Sequence, residues 1–321
     1  TEICAKKGIG QIYVDYILKL HQDLSRRGYL MQFWADIILQ FPEIIPQLPK
    51  DVIALDWGYE ANHPFESETS ILEDSGVPYY ICPGTSSWNS IGGRVDNMLK
   101  NCEEAAQSGL KNGAIGYLLT DWGDNGHWQQ LPISYPGFVT GAAFSWCLKR
   151  NQSFDLPRLL NHLVFKDRSG LIGQMMINLG NEFKSWGLLL PNSSPLFWLL
   201  QESEEVVKEF DIEDRALIHH SIDRLENLQN DLKKVDIDRS DAIVIKKELQ
   251  LTLSLQSLAC KRALYIFGEE NSIQKARLLR EINELMGEFR CLWLKRNRPG
   301  GLMESVSRFD TLLEEYQSDI D

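Results

Sequence analysis

Four tryptophans recur near the ends of four successive apolar runs, at Trp34, Trp57, Trp88 and Trp122. Each run has the length of a strand, and each is followed by a stretch with helical spacing. Such an alternation predicts a parallel sheet flanked by helices. In β/α barrels the loops that follow the strands gather at one face, where binding and catalysis take place. The recurring tryptophans therefore predict an aromatic site at the carboxyl ends of the strands.

The strand and helix patterns predict an α/β fold for the first part of the chain. Strands are predicted at 29–34, 52–57, 77–84 and 114–119, and helices at 11–27, 66–75, 93–108 and 137–148. Four strand–helix units are half of the eight that close a barrel of roughly 250 residues. Either the sheet stays open, or the first four units lie upstream of Thr1. We expect the second arrangement, in which residues 1–150 form the second half of a (β/α)8 TIM barrel.

Strand patterns disappear after residue 150. Helical spacing is found instead over 156–164, 205–234, 240–267, 272–295 and 301–316. Long amphipathic helices with short connections are typical of an antiparallel bundle. We therefore predict an all-α domain over 151–321, with its charged residues on solvated faces.

The charge balance disfavours two classes of partner. The chain has 33 basic and 45 acidic residues, for a net charge of -12, which disfavours nucleic acid and anionic membranes. No apolar stretch reaches the roughly 18–20 residues of a membrane-spanning helix. The cysteines have no metal-binding spacing, which predicts free, mostly buried thiols and a cytoplasmic protein; they are Cys4, Cys82, Cys102, Cys147, Cys260 and Cys291.

The loop after the fourth strand, residues 119–130, is the richest in polar and aromatic side chains, among them Asp121, Trp122, Asp124 and His127. A pyranose ring has apolar C–H faces that stack on indole, and hydroxyl groups that hydrogen-bond to carboxylates. This composition predicts a sugar site, with Trp122 stacking on the ring and Asp124 accepting from two hydroxyls. The alternative is a structural Asp/Asn-Gly turn around a buried tryptophan.

Other loops add candidates. The turn 82–94 would bring Trp88 and Asn89 over the strand ends, and its glycines match neither a P-loop nor a dinucleotide fingerprint. Asp36 and Asp56 are strand-end acids that could serve as catalytic carboxylates or as helix N-caps. Because side chains alternate along a strand, only one of Tyr79 and Tyr80 can face the barrel interior.

A metal-dependent hydrolase is a weaker alternative. His63, His127 and Asp124, with Glu60, could supply ligands, but no local spacing of metal ligands supports the set. We therefore expect neither a metal nor a cofactor.

Three segments resemble the family-20 glycoside hydrolases, which are β-N-acetylhexosaminidases and close relatives: FWADIILQFPEIIPQLPKDVIALDWGYEANHPF, PGTSSWNSIGGR and GYLLTDWGDNGHWQ. The resemblance covers about residues 1–150. The sequence WLKRNRPGGL at 293–302 is similar to the C-terminal helical extension of some bacterial members.

The resemblance implies substrate-assisted, retaining hydrolysis of terminal N-acetylhexosamine. In that scheme the acetamido oxygen attacks the anomeric carbon, a Glu protonates the leaving oxygen, and the preceding Asp orients the acetamido group. Trp34, Trp57 and Trp122 would line the acetamido cage, and Asp124 would bind the outer hydroxyls. Three further residues join the predicted substrate-binding set, namely Asp36, Trp88 and Asn89.

The chain departs from the family at its catalytic groups. The position of the Asp–Glu pair falls before Thr1, and Glu73–Asp74 and Glu213–Asp214 are predicted to be helical surface pairs. The tyrosine that polarises the acetamido group is not identified. We therefore expect the full-length protein to be a glycosidase and this chain alone to be inactive. The alternative is a non-catalytic sugar-binding or assembly protein, with a helical domain that docks or forms a homo-oligomer.

Overall fold

The computed structural model of the chain describes residues 7–212, 214–268 and 275–317. Contacts divide the chain into two compact units. The first, here called the sheet unit, comprises Thr1–Gly84, Asn97–Thr120 and Gly141–Ser153. The second, the helical unit, comprises Thr85–Asp96, Asp121–Thr140 and Phe154–Asp321. The division therefore does not fall at residue 150, because two segments that follow strands are grouped with the helices.

The sheet unit contains a four-stranded parallel sheet in the order β1-β2-β3-β4. The strands are β1 (Met31–Trp34), β2 (Val52–Trp57), β3 (Tyr79–Cys82) and β4 (Gly116–Tyr117). The helices up to residue 151 are α1 (Ile9–Arg26), α2 (Asp36–Leu39), α3 (Phe65–Ser75), α4 (Val95–Lys111) and α5 (Tyr135–Asn151). The predicted α/β architecture with a parallel sheet is confirmed for these residues.

The predicted elements agree with the structure within a few residues. The strand predicted at 52–57 is β2, and the helix predicted at 66–75 is α3, extended by Phe65. Gly28 and Gly76, which follow α1 and α3, have φ angles of 78° and 65°. Only glycine adopts this region without a steric penalty, so the sequence marked both helix ends. The fourth strand is shorter than predicted, with two residues.

One face of the sheet packs against helices. Phe33 of β1, Ala54 of β2 and Tyr79 of β3 share a buried cluster with Val14 of α1 and Leu72 of α3. Strand residues at odd and even positions point to opposite faces. The alternate residues of the same strands therefore lie on the other face of the sheet.

Helices dominate the remaining sequence. They are α6 (Leu156–Leu159), α7 (Ile172–Asn181), α8 (Pro195–Trp198), α9 (Glu204–Lys208), α10 (Ala216–Lys234), α11 (Ala242–Ile266), α12 (Lys275–Arg296) and α13 (Leu302–Gln317). A π-helical segment, Leu160–Phe165, follows α6. The predicted α-helical character of this part is confirmed, and α7 and α8 were not predicted.

The helix predicted over 205–234 is wrong as a single element, because it is two helices, α9 and α10. Asp214 precedes α10, and its carboxylate accepts a hydrogen bond from the backbone N–H of Ala216 at 2.9 Å. An aspartate in this position satisfies an amide at a helix start and favours a new helix over continuation. Glu213 of the predicted Glu213–Asp214 pair lies outside the described residues.

The prediction that the charged residues of the helices are solvated is wrong at several positions. Glu248 and Arg262, both on α11, are 0% and 1% exposed. The Arg262 guanidinium donates to Tyr316 Oη at 3.1 Å, to the Leu199 carbonyl and to Glu315. Helix α11 is buried on several sides, so Glu248 and Arg262 find charged or polar partners inside the unit instead of water.

Five of the six cysteines lie in the described residues and are free; of these, Cys82, Cys102 and Cys260 are buried. Cys4 lies outside the described residues. None of the described helices is long and apolar enough to cross a membrane.

Asp167 organises the connection into α7. Its carboxylate accepts hydrogen bonds from the backbone N–H groups of Ser169, Leu171, Ile172 and Asp236, at 2.9–3.0 Å. Burial alone would raise the pKa of Asp167, but these hydrogen bonds and those of the Ser169 hydroxyl lower it below its usual range. The ionised carboxylate therefore ties the start of α7 to the segment after α10.

We expect Asp167→Asn to lower the free energy of unfolding by roughly 1–3 kcal/mol at pH 7, because several buried amides lose a charged acceptor. The pKa of Asp167 is lowered on folding, so its contribution is present above the unfolded carboxyl pKa of about 3.9 and is lost as pH falls below it. Urea unfolding at pH 7 and pH 3 measures both effects. Asp238→Asn, which breaks an exposed ion pair with Arg168, is the control and should change stability little.

Candidate functional site

Aromatic side chains occupy the face of the sheet opposite α1 and α3. Trp34, Trp57 and Tyr80 are half-buried and pack against Ile53, Leu55 and Cys82, all six of them strand residues. The strand register pairs Trp34 with Leu55, and Leu55 with Tyr80. Two aromatic rings therefore flank a leucine in one row across the sheet. Trp57 lies one pleat nearer the carboxyl ends, beside Cys82.

The position of Trp57 is supported by Tyr59, whose ring stacks on the indole with centroids 5.1 Å apart and planes inclined by 28°. Tyr80, rather than Tyr79, shares this face, as the alternation of side chains predicted. Burial, and then the charge of Asp56, raise the pKa of the Cys82 thiol far above its usual range. Cys82 therefore contributes a buried, neutral side chain to this aromatic face.

Asp36 begins α2, two residues after Trp34, and is half-buried. Burial, and then the negative charge of Asp36, raise the pKa of Tyr13. The Tyr13 hydroxyl donates to the carbonyl of Trp34 at 3.2 Å. Of the predicted substrate-binding residues, Trp34, Asp36 and Trp57 thus belong to the sheet unit, and the other four belong to the helical unit.

Two loops of the helical unit, which follow β3 and β4 in the sequence, contain most of the non-glycine residues with positive φ. Seven non-glycine residues in the described part of the chain have positive φ, and five lie in these loops: Ser86, Asn89, Ile91, Asn125 and His127. Such conformations cost of order 1–3 kcal/mol each and cluster at functional sites. The loops are joined by a hydrogen bond from Asn125 Nδ2 to Asn89 Oδ1 at 3.1 Å.

The four predicted residues in these loops differ in exposure. Trp88 is 1% exposed and its indole N–H donates to Asn192 Oδ1 at 3.0 Å, so its ring packs inside the helical unit. Asn89 is also buried. Trp122 is 38% exposed. Asp124 is half-buried, and burial raises the pKa of its carboxyl.

Trp128, in the same loop as Trp122, is a core residue. Its ring stacks on Phe309 at a centroid distance of 4.1 Å, and its indole N–H donates to the Ser305 carbonyl at 3.0 Å. Trp128 therefore fits the alternative interpretation of the loop, in which a turn surrounds a buried tryptophan.

Asp121 gathers three hydroxyl groups. Thr85, Ser87 and Ser134 each donate to its Oδ1, at 2.6, 2.8 and 2.9 Å. The other carboxylate oxygen takes no part in these three hydrogen bonds. Asp121 as a whole is exposed. The hydroxyls hold the carboxylate in one orientation at the wall of a cavity.

That cavity, of about 220 Å³, lies within the helical unit. Asp121, His127 and Gln129 line it from the loop side, and Trp293 and Arg296 line it from α12. Desolvation lowers the pKa of His127, although the charge of Asp121 opposes the shift. A neutral imidazole beside a carboxylate suits hydrogen bonding to a small polar molecule.

A chain of charged groups supports the α12 wall. Arg296 donates from Nε and Nη2 to the two oxygens of Glu248, both at 2.8 Å, and from Nη1 to Asp241 at 3.0 Å. Asp241 also accepts from Arg239 at 2.9 and 3.1 Å. Glu248 is fully buried, so this bidentate contact replaces the hydrogen bonds that its carboxylate would make with water.

A second polar group is found on the helix-covered side of the sheet unit. Asp56 of β2 is fully buried, and neither carboxylate oxygen has a hydrogen-bond partner. One ligand atom each from Asp56, His63 and Glu68 lie within 4.8 Å of one another, and His63 Nε2 is 2.7 Å from Glu68 Oε2. Burial, and then the charge of Glu68, raise the pKa of Asp56 to about 8.

The set of side chains that the structure brings together therefore differs from the set that the metal hypothesis predicted. His63 is grouped with Asp56 and Glu68, whereas Asp124 and His127 belong to the helical unit. Within the described ranges this is the one group of three or more such side chains. Asp56 is not a strand-end carboxylate on the aromatic face, because it alternates with Trp57.

Sequence reasoning missed the α12 wall and the hydroxyls around Asp121. Glu248 and Arg296 are 48 positions apart and Thr85 and Asp121 are 36 apart, so no local spacing connects them.

Comparison with the families of known proteins found no match, and a search of curated proteins found no similar sequence.

We expect Arg296→Ala to lower the free energy of unfolding by about 3–5 kcal/mol, because it leaves the buried charge of Glu248 unpaired. Chemical denaturation at pH 7 measures the loss. The double variant Glu248→Leu with Arg296→Met removes both charges and should recover most of the stability. Arg290→Ala, an exposed arginine on the same helix, is the control. A loss below about 1 kcal/mol in Arg296→Ala would contradict the buried pair.

Proposed function

We propose that this chain is part of a glycoside hydrolase of the β-N-acetylhexosaminidase type, and that the aromatic face of the sheet unit binds a terminal N-acetylhexosamine. The observation that carries the proposal is the cluster of Trp34, Trp57 and Tyr80 on one face of a parallel sheet. These rings are half-buried, so part of each remains available to an apolar sugar face.

The arrangement of the two sheet faces supports a half barrel. All four strands are parallel and in sequential order. The cluster on one face includes residues of α1 and α3, whereas the cluster on the other face consists of strand residues. In a (β/α)8 barrel the helices lie outside and the alternate side chains fill the interior. We therefore propose that Trp34, Trp57 and Tyr80 face the interior of such a barrel. The roles of Trp122 and Asp124 rest on the sequence resemblance.

The carboxylates of this part of the chain do not complete a hydrolase. In the described residues none of the four strands is followed by adjacent Asp and Glu. Glu73 and Asp74 are exposed on α3, as expected for a surface pair. We therefore propose that the chain alone binds the sugar without hydrolysing it.

The alternative, a non-catalytic sugar-binding or assembly protein, shares this expectation for the chain and differs in the full-length protein. It is favoured by the burial of Trp88, which leaves one accessible ring fewer in the predicted substrate-binding set. Self-association through the helical unit stays a prediction.

We expect N-acetylglucosamine to bind the purified chain, and Trp34→Ala or Trp57→Ala to weaken binding about tenfold or more, because each removes a stacking surface. Isothermal titration calorimetry measures the dissociation constants. Trp146→Ala is the matched control, since Trp146 lies on α5 and is 88% exposed. It should leave the affinity unchanged.

A turnover assay with an aryl N-acetylglucosaminide separates the outcomes. Binding without turnover supports the proposal for this chain. Turnover by this chain would contradict the proposal, because the general acid would then have to lie within these residues. Absence of binding, or equal weakening in Trp146→Ala, would remove the aromatic face as the sugar site.

A further inference from the structure

We propose that Asp56, His63 and Glu68 form a binding site for a divalent transition-metal ion, with Zn²⁺ as the expected occupant. The proposal does not depend on the sugar site, because these three residues lie on the helix-covered side of the sheet. It also differs from the expectation drawn from sequence spacing, which predicted no metal.

Asp56 is the observation that points to a ligand. A buried carboxylate without partners loses its hydration and gains nothing in return, so such groups are rare and require an explanation. Neither oxygen of the fully buried Asp56 accepts a hydrogen bond from a donor in the described residues, and the polar group beside it is a second carboxyl, that of Glu68. A cation held between Asp56 and Glu68 would supply the missing interaction, and it would displace the proton that the two carboxyl groups otherwise share.

The donor set suits a borderline ion. One imidazole and two carboxylates are ligands of Zn²⁺, at about 2.0–2.2 Å from the metal. Ligand atoms around a tetrahedral ion are then about 3.4 Å apart. The three side chains here have ligand atoms within 4.8 Å of one another, so small rotations would bring them into range. His63 and Glu68 are about one-fifth exposed, which leaves a path for the ion and room for water ligands.

The surroundings of His63 hold its ring in place. The imidazole contacts the edge of Phe65 at a centroid distance of 4.5 Å. The backbone at Gly58 lies directly against the ring, because a Cβ added there would be 2.0 Å from His63 Cδ2. A ligand fixed before the metal arrives loses little conformational entropy on binding, and such supporting contacts raise affinity.

The ion would link two elements of the sheet unit. Asp56 is on β2 and Glu68 is in the first turns of α3, with His63 in the connection between them. Metal bound only by the folded state stabilises that state. We therefore infer a structural role, in which the ion fixes the connection that follows the second strand.

The test uses the full chain after treatment with a chelator and dialysis. Zn²⁺ titrated by calorimetry should bind one ion per chain at this site with a Kd of about 10 μM or tighter, and should raise the Tm. Asp56→Asn, which keeps the shape of the side chain, and His63→Ala should each raise the Kd at least about tenfold and abolish the Tm shift.

Two controls exclude adventitious binding. His21→Ala removes a histidine that contacts an exposed carboxylate, Asp51, at 2.9 Å. Glu66→Gln removes an exposed acid on the same helix as Glu68. Both should bind Zn²⁺ as the unmodified chain does. Binding that is lost in His21→Ala, or retained in Asp56→Asn, overturns the proposal.

A measurement on the unmodified chain keeps the test independent of variant folding. Co²⁺ loaded in place of Zn²⁺ should give an X-ray absorption spectrum with one imidazole nitrogen among oxygen ligands. Two imidazoles or a thiolate would overturn the assignment, because the cluster contains one histidine and no cysteine. A chain that takes up neither ion overturns it as well, and the two carboxyl groups would then share a proton.

Discussion

The alternation of side chains across the parallel sheet is the constraint on which the rest of the sheet unit depends. Along β2, Ala54 and Asp56 point toward the helices, while Leu55 and Trp57 point the other way. The same alternation separates Tyr79 from Tyr80 in β3. Because a parallel sheet must cover both faces, this pattern places Phe33, Ala54 and Tyr79 under α1 and α3 and leaves Trp34, Trp57 and Tyr80 on the second face. A shift of one residue in register would exchange the two sets.

Buried charge is the corresponding constraint in the helical unit. Glu248, Arg296, Asp241 and Arg239 form one connected chain, and Arg262 has its own set of partners. Such groups contribute little net stability relative to apolar residues, but they are costly to separate. They therefore fix the relative positions of α11 and α12, and with them the wall of the cavity beside Asp121. The hydroxyls of Thr85, Ser87 and Ser134 fix the opposite wall.

Much of the fold could be predicted from short-range patterns. The bounds of β2 and α3 follow from an apolar run, a helical spacing and the glycine at position 76. The prediction was wrong for the helix expected over 205–234, which is interrupted before Ala216, where the carboxylate of Asp214 accepts a hydrogen bond from the first amide of a new helix. Of the seven residues predicted to bind the sugar, three lie on or next to the strands that form the aromatic face of the sheet unit, namely Trp34, Asp36 and Trp57. The sugar-site prediction did not anticipate that Trp88 is buried, because loop composition does not show what packs against a ring.

The sequence by itself determined the order of strands and helices, the two sheet faces and the positions of Trp34 and Trp57 at strand ends, since each depends on neighbours within a few residues; Trp88 and Trp122 lie in loops beyond the ends of β3 and β4. Only the tertiary structure decided which polar groups meet. Asp56 and Glu68 are twelve positions apart, on a strand and a helix, and Trp128 and Ser305 are separated by 177 positions. Periodicity specifies which face a side chain occupies, but the partner across that face depends on how distant elements pack. The grouping of a buried carboxylate with a histidine and a second acid is therefore a property of the fold.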